Sequence, residues 1–238
     1  MGEFSRLFGV FFEPKKTFED IAERPGWLVP MLIMIVVSLV LIYLFNSHIG
    51  WEPYLRRLFD SNPRVQQLTP EARQNALNLQ LRILPIATYF GVVVGTPVTL
   101  LVTALIAMGI IRGLLGAPIR FLQAFAAVTY ASLPRMIYAG LSIAVMYLKN
   151  PDDFDIQNAF ASNPAVFMDP QKSSRFLYSL AGSLDLFTIW VILLMAVGLK
   201  AAGGKRLSFG GALFSVVLPW GVWVLCRAAL AAAGLMGS

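Results

Sequence analysis

The chain has 238 residues, 57% of them hydrophobic and 13% charged, with 19 lysines and arginines against 13 acids and a mean hydropathy of +0.68. That balance excludes an ordinary soluble globular domain. A formal charge of +6 with no RNA or DNA motif beside it excludes a nucleic-acid partner and points to loop arginines meeting anionic lipid.

The first 26 residues carry nine charged side chains and lack the apolar stretch of a cleavable signal peptide, so the first span is expected to stay in the mature protein. Phe4, Leu7, Phe8, Phe11 and Phe12 recur at spacings of three and four, one face of a helix, until Pro14 ends it. A second short helix is predicted from Lys15 to Glu23, stopped by Pro25 and Gly26. Residues 1–26 thus read as a cytoplasmic amphipathic segment. Its phenylalanines either lie in the membrane interface or pack on the protein's own helices, and the pattern weighs equally for both.

Windows of about 20 apolar residues, long enough to cross ~30 Å of hydrocarbon, fall at Trp27 to Phe45, Ile83 to Ile111, Leu122 to Leu148, Leu180 to Leu199 and Phe209 to Leu235. The fold class is therefore all-α and polytopic, with five transmembrane helices over residues 27–238. Both short loops are purely basic, with Arg112 and Arg120 in one and Lys200, Lys205 and Arg206 in the other. This puts the N-terminus in the cytoplasm and, after five spans, the C-terminus outside, as in a bacterial inner membrane. The two long outer loops, Asn46 to Arg82 and Lys149 to Ser179, are expected to fold as caps of short helices. Thr69 as N-cap and Pro70 at the first helical position open a helix that runs straight into the second span. Asn-Pro and Asp-Pro pairs at Asn62, Asn150, Asn163 and Asp169 punctuate the turns.

A parallel repeat, 27–121 and 131–208, is suggested by laying "PMLIMIVVSLVLIYLFN" (30–46) on "PRMIYAGLSIAVMYLKN" (134–150). Downstream "FDSNPRV" (59–65) meets "FASNPAV" (160–166) in the same order. Composition bias is the alternative.

Charges inside the spans are the candidate functional or packing residues. Arg135 follows Pro134 in a run from Phe121 to Leu148 that holds no other charge. It would sit about 22 Å from the outer end, near enough to the inner surface to snorkel. It is either a depth marker or a ligand for a lipid headgroup or solute. Asp185 and Arg227, about 9 and 12 Å from the outer ends of the fourth and fifth helices, are expected to pair as a packing device. Thr99 and Thr103 continue a stripe from Thr88, Gly91 and Gly95 that would admit another backbone, with packing inside the bundle ahead of a dimer contact.

His48, the single histidine, leaves no multi-histidine metal site, and Cys226, the single cysteine, no intrachain disulfide. Asp152, Asp153 and Asp155 lack the glycine and glutamate of a calcium loop. Without a Walker loop, a nucleophile elbow or paired intramembrane carboxylates, no enzyme activity, cofactor or metal is expected.

The stretches "FFEPKKTFEDIAERPGWLVP", "FAAVTYASLPRMIYAG" and "LDLFTIWVILLMAVGLKAAGG" followed by "LPW" resemble the Yip domain family, the Ypt/Rab-interacting membrane proteins, in its prokaryotic form. The resemblance covers most of the chain and implies a five-span helical domain with a cytoplasmic N-terminus and no catalytic residues. Eukaryotic members are associated with Golgi and endoplasmic-reticulum traffic and with Rab GTPases. They carry a long cytosolic N-terminal region and an Asp-Leu-Tyr-Gly-Pro motif, of which the nearest echo here is Asp185-Leu186-Phe187. The expected function is a non-enzymatic organiser of membrane lipids, anionic headgroups among them, or of protein partners that include a second copy of the chain. The alternative is a transporter or channel for a small solute or lipid, using the Arg135 region.

Overall fold

The computed structural model describes residues 1–151, 154, 159–160, 162–169 and 172–233. The aspartates at 152, 153 and 155 lie outside them. Among the described residues the regular structure is helical, with no strand. Five helical segments among the described residues are long and apolar enough to cross a membrane: Leu28–His48, Pro70–Gly113, Phe121–Leu148, Leu186–Arg206 and Phe209–Ala232. The chain divides into two compact units, one of Met1–Ile33, Thr99–Ile137 and Ala161–Ser238, the other of Met34–Val98 and Tyr138–Phe160.

The N-terminal pair forms as its punctuation predicts. Helix α1 (Glu3–Phe12) stops where Pro14 removes a donor, and α2 (Pro14–Glu23) uses that proline at its first position. The first span is α3 (Leu28–His48). Beyond it the first long loop is a folded cap, with α4 (Trp51–Ser61) and α5 (Pro63–Gln66). Thr69 then caps α6 (Pro70–Phe90), its hydroxyl accepting the Ala72 amide at 3.2 Å. Helix α6 runs on through a π turn (Gly91–Gly95) into α7 (Thr96–Gly113). Pro97 explains the π turn: it has no N–H for the Val93 carbonyl four residues back, and a widened turn re-routes the ladder.

The third span is broken. Helix α8 (Phe121–Ala131) and α9 (Pro134–Leu148) are separated at Ser132 and Leu133. Pro134 cannot donate to the Tyr130 carbonyl, which accepts the Leu133 amide at 3.2 Å instead. A 3₁₀ turn (Pro164–Phe167), capped by the Asn163 side chain on the Ala165 amide, and α10 (Arg175–Ser183) fold the second long loop.

Helix α11 (Leu186–Gly203) begins six residues later than the hydropathy window from Leu180. The reason is local, since α10 ends at Ser183 and Asp185 caps a new helix, accepting the Thr188 amide at 3.0 Å. Ser208 caps α12 (Phe209–Ala232) in the same way, through the Gly211 amide at 3.0 Å.

In the second unit the core is aromatic. Phe45 of α3 packs edge-on against Trp51 (5.0 Å between ring centres) and Tyr54 (5.5 Å) of α4, and Leu55, Phe59, Leu77, Met146 and Phe154 close around them. In the first unit α8 and α11 pack against each other, and α2 packs on both. Gly198 of α11 makes this possible. A Cβ there would stand 2.8 Å from the Phe18 ring and 3.0 Å from the Ala127 Cβ, so only glycine lets three helices meet at that level.

Candidate functional site

The N-terminal hairpin is where the first unit concentrates its polar chemistry. Gly9 lets Thr17 come within the space a Cβ would fill, so α1 and α2 lie against each other with Arg6 opposite Asp20. The Arg6 side chain is only 4% exposed. Its Nε donates to Asp20 Oδ2 at 2.7 Å, Nη1 to Glu3 Oε1 at 3.0 Å, and Nη2 to the Asp20 carbonyl at 3.3 Å. The second Glu3 oxygen accepts the Tyr130 hydroxyl at 2.6 Å, and Tyr130 on α8 is fully buried. Asp20 also accepts the N-terminal ammonium at 2.7 Å. Further along, Gln123 Nε2 donates to the Ala22 carbonyl at 2.8 Å.

Each charge in this hairpin network is held by its neighbours. Burial works against the Arg6 guanidinium, but the hydrogen bond and charge of Asp20 and the charge of Glu3 outweigh it and raise its pKa. Asp20 lies below the ordinary carboxylate value, chiefly through the hydrogen bond from the N-terminal ammonium, which outweighs the cost of burial, with the hydrogen bond and charge of Arg6 adding to it. Buried charge is tolerated here because every partner is present.

The network fixes which face of α1 turns inward, and it is not the phenylalanine face. Arg6 and Val10 are buried, whereas Phe4, Phe8 and Phe12, at i, i+4 and i+8, are 79%, 67% and 82% exposed. Phe11 alone reaches the bundle, edge-on to Trp190 of α11 at 5.7 Å. On α2 the buried residues are Thr17, Phe18 and Ile21. Of the two readings of the amphipathic pattern, packing on the protein's own helices holds for Val10 and Phe11 of α1 and for the buried face of α2, while Phe4, Phe8 and Phe12 remain as an outward row.

The residues singled out from the sequence fall in different places. Pro134 is buried and opens α9. Arg135 beside it is exposed, and its guanidinium has no hydrogen-bond or ion-pair partner among the described residues. The expected pair of Asp185 and Arg227 does not form. Asp185 is an N-cap and accepts the Ser162 hydroxyl as well as the Thr188 amide, so it is satisfied at a helix start and is not a lone charge in hydrocarbon. Arg227 is exposed on α12 and without an ion pair among the described residues. Thr103 returns its hydroxyl to the Thr99 carbonyl at 2.7 Å and Thr88 to Leu84 at 2.7 Å, so these threonines satisfy themselves within their helix. Nothing stands within 4 Å of a Cβ at Gly91 or Gly95. The expectation that this stripe packs inside the bundle is corrected: its glycines are open.

Glu3, Arg6, Asp20 and Tyr130 were not singled out by hydropathy or motif. The one local signal is the Glu3–Arg6 spacing of three on a short apolar helix. No curated protein and no solved structure matches the chain. The family model for the Yip1 domain matches residues 8–231, nearly the whole length, and the chain belongs to that family.

Proposed function

We propose that this multi-pass Yip1-domain protein is a non-catalytic organiser of lipids on the side of a bacterial plasma membrane where its N-terminus lies. The observation that carries the reading is the outward phenylalanine row. A helix whose opposite face is locked by a buried ionic network cannot roll to hide Phe4, Phe8 and Phe12. Three aromatic rings kept outward beside apolar spans suit the boundary between headgroups and acyl chains. Lys15, Lys16 and Arg24 follow in sequence and suit an anionic leaflet. Transport through the Arg135 region would call for a cavity that reaches Arg135, and no observation favours it.

The test is the fraction of motionally restricted lipid around the reconstituted protein, read by spin-labelled phosphatidylglycerol in liposomes. A Phe4→Ser, Phe8→Ser, Phe12→Ser variant that keeps wild-type helicity is expected to restrict measurably less lipid. An unchanged fraction would refute the role given to the row.

A further inference from the structure

The first unit also holds an open cleft of about 510 Å³ lined by Arg112, Arg120, Arg206, Gln123 and the turn from Gly116 to Ile119. Three arginines line it, and no carboxylate-bearing residue is among the lining residues. Like charges gathered without a counter-charge repel one another, and an anion in their midst is what relieves the repulsion.

The walls are braced from behind. Arg112, in the last turn of α7, directs Nε (2.8 Å) and one Nη to the Ile119 carbonyl, which closes the loop and leaves its other Nη uncommitted. Arg120 gives its backbone amide to Gln123 Oε1 at 3.1 Å, while its side chain has no hydrogen-bond or ion-pair partner among the described residues. Gln123 in turn is anchored to the hairpin through the Ala22 carbonyl. Arg206 ends the short 3₁₀ turn before α12 and is likewise unpaired among the described residues. Gly116 holds φ +62°, a conformation open to glycine, and nothing stands within 4 Å of a Cβ there. One Nη of Arg112 and the whole guanidiniums of Arg120 and Arg206 thus keep their donors unpaired among the described residues.

We infer that this cleft binds the headgroup phosphate of an anionic phospholipid. Guanidinium forks match phosphate oxygens two at a time. The three arginines also stand where a headgroup would be: Arg112 lies in the last turn of one span, Arg120 directly precedes α8, and Arg206 is the last residue of the fourth span. A free phosphate compound would share the chemistry but not the position. The inference rests on the lipid-organising reading and names one class of lipid and its seat.

The experiment is native mass spectrometry of the full chain released from detergent and titrated with phosphatidylglycerol, phosphatidylcholine or inorganic pyrophosphate. Wild type is expected to retain phosphatidylglycerol at about tenfold lower concentration than phosphatidylcholine. Arg120→Gln with Arg206→Gln should bring the two lipids to parity, while Arg206→Lys alone, which keeps the charge, should keep most of the preference. Pyrophosphate should compete with phosphatidylglycerol on wild type and not on the double variant. Equal retention of both lipids by wild type, or a preference that survives the double substitution, would overturn the inference. Pyrophosphate binding without any lipid preference would assign the cleft to a free phosphate compound and overturn it too. The phenylalanine variant leaves these arginines in place, so failure of the row and failure of the cleft are read separately.

Discussion

Arg6 is the residue on which the N-terminal hairpin turns. Removing its main counter-charge with Asp20→Asn leaves a guanidinium in a site where its side chain is 4% exposed. Because Asp20 itself remains 21% exposed, the loss should fall below the ~3–5 kcal/mol of a fully buried broken pair, at about 2 kcal/mol. Tyr130→Phe removes one hydroxyl bond to Glu3 and should cost about 1 kcal/mol. Both are read as thermal stability in detergent. Acid offers the same test without substitution. The folded-state pKa of Asp20 lies below its ordinary value of 3.8, so its contribution is complete above that value and is lost as pH falls through the lower folded-state value. Wild type should therefore lose stability there, and Asp20→Asn should lose less. This network was not legible in the sequence, because its bonds join residues 14 and 127 positions apart and no local period links them. Asp185 was legible and was misread. A hydropathy window averages across a helix break, whereas the capping preference of an aspartate just before an apolar run would have placed the helix start there.

At the level of elements, the packing of α2, α8 and α11 depends on one missing side chain. Gly198→Ala puts a methyl group 2.8 Å from a Phe18 ring that is itself 1% exposed, so α2 has to shift and the melting temperature should fall by several degrees, for a cost of about 1–3 kcal/mol. Gly109→Ala on α7 is the internal control. Nothing lies within 4 Å of its Cβ, and the substitution should be neutral or slightly stabilising. Equal losses at the two positions would contradict the close approach at Gly198. The elements themselves were largely readable: long apolar runs located all five spans, and Thr69-Pro70 located the start of α6. What the apolar runs could not show is which face of each helix meets a neighbour, since a membrane helix can be apolar all round. The glycine stripe at Gly91 and Gly95 was read as buried packing for that reason and is open.

At the scale of the whole molecule, the chain belongs to the Yip1 domain family and carries, among the described residues, five helical segments able to span a membrane, while the parallel duplication of residues 27–121 and 131–208 stands as a proposal from the sequence matches. In the proposed function the hairpin is held so that α1 turns its phenylalanines toward lipid. The most direct measurement places a nitroxide at Phe8→Cys, in a Cys226→Ser background, and at Gln67→Cys as an exposed loop reference, then compares relaxation by oxygen and by a water-soluble nickel chelate in liposomes. The label at position 8 is expected to be relaxed far more by oxygen than by the chelate, with the reverse at position 67. A label at position 8 as open to the chelate as the one at position 67 would mean that the row faces water and would contradict the claim.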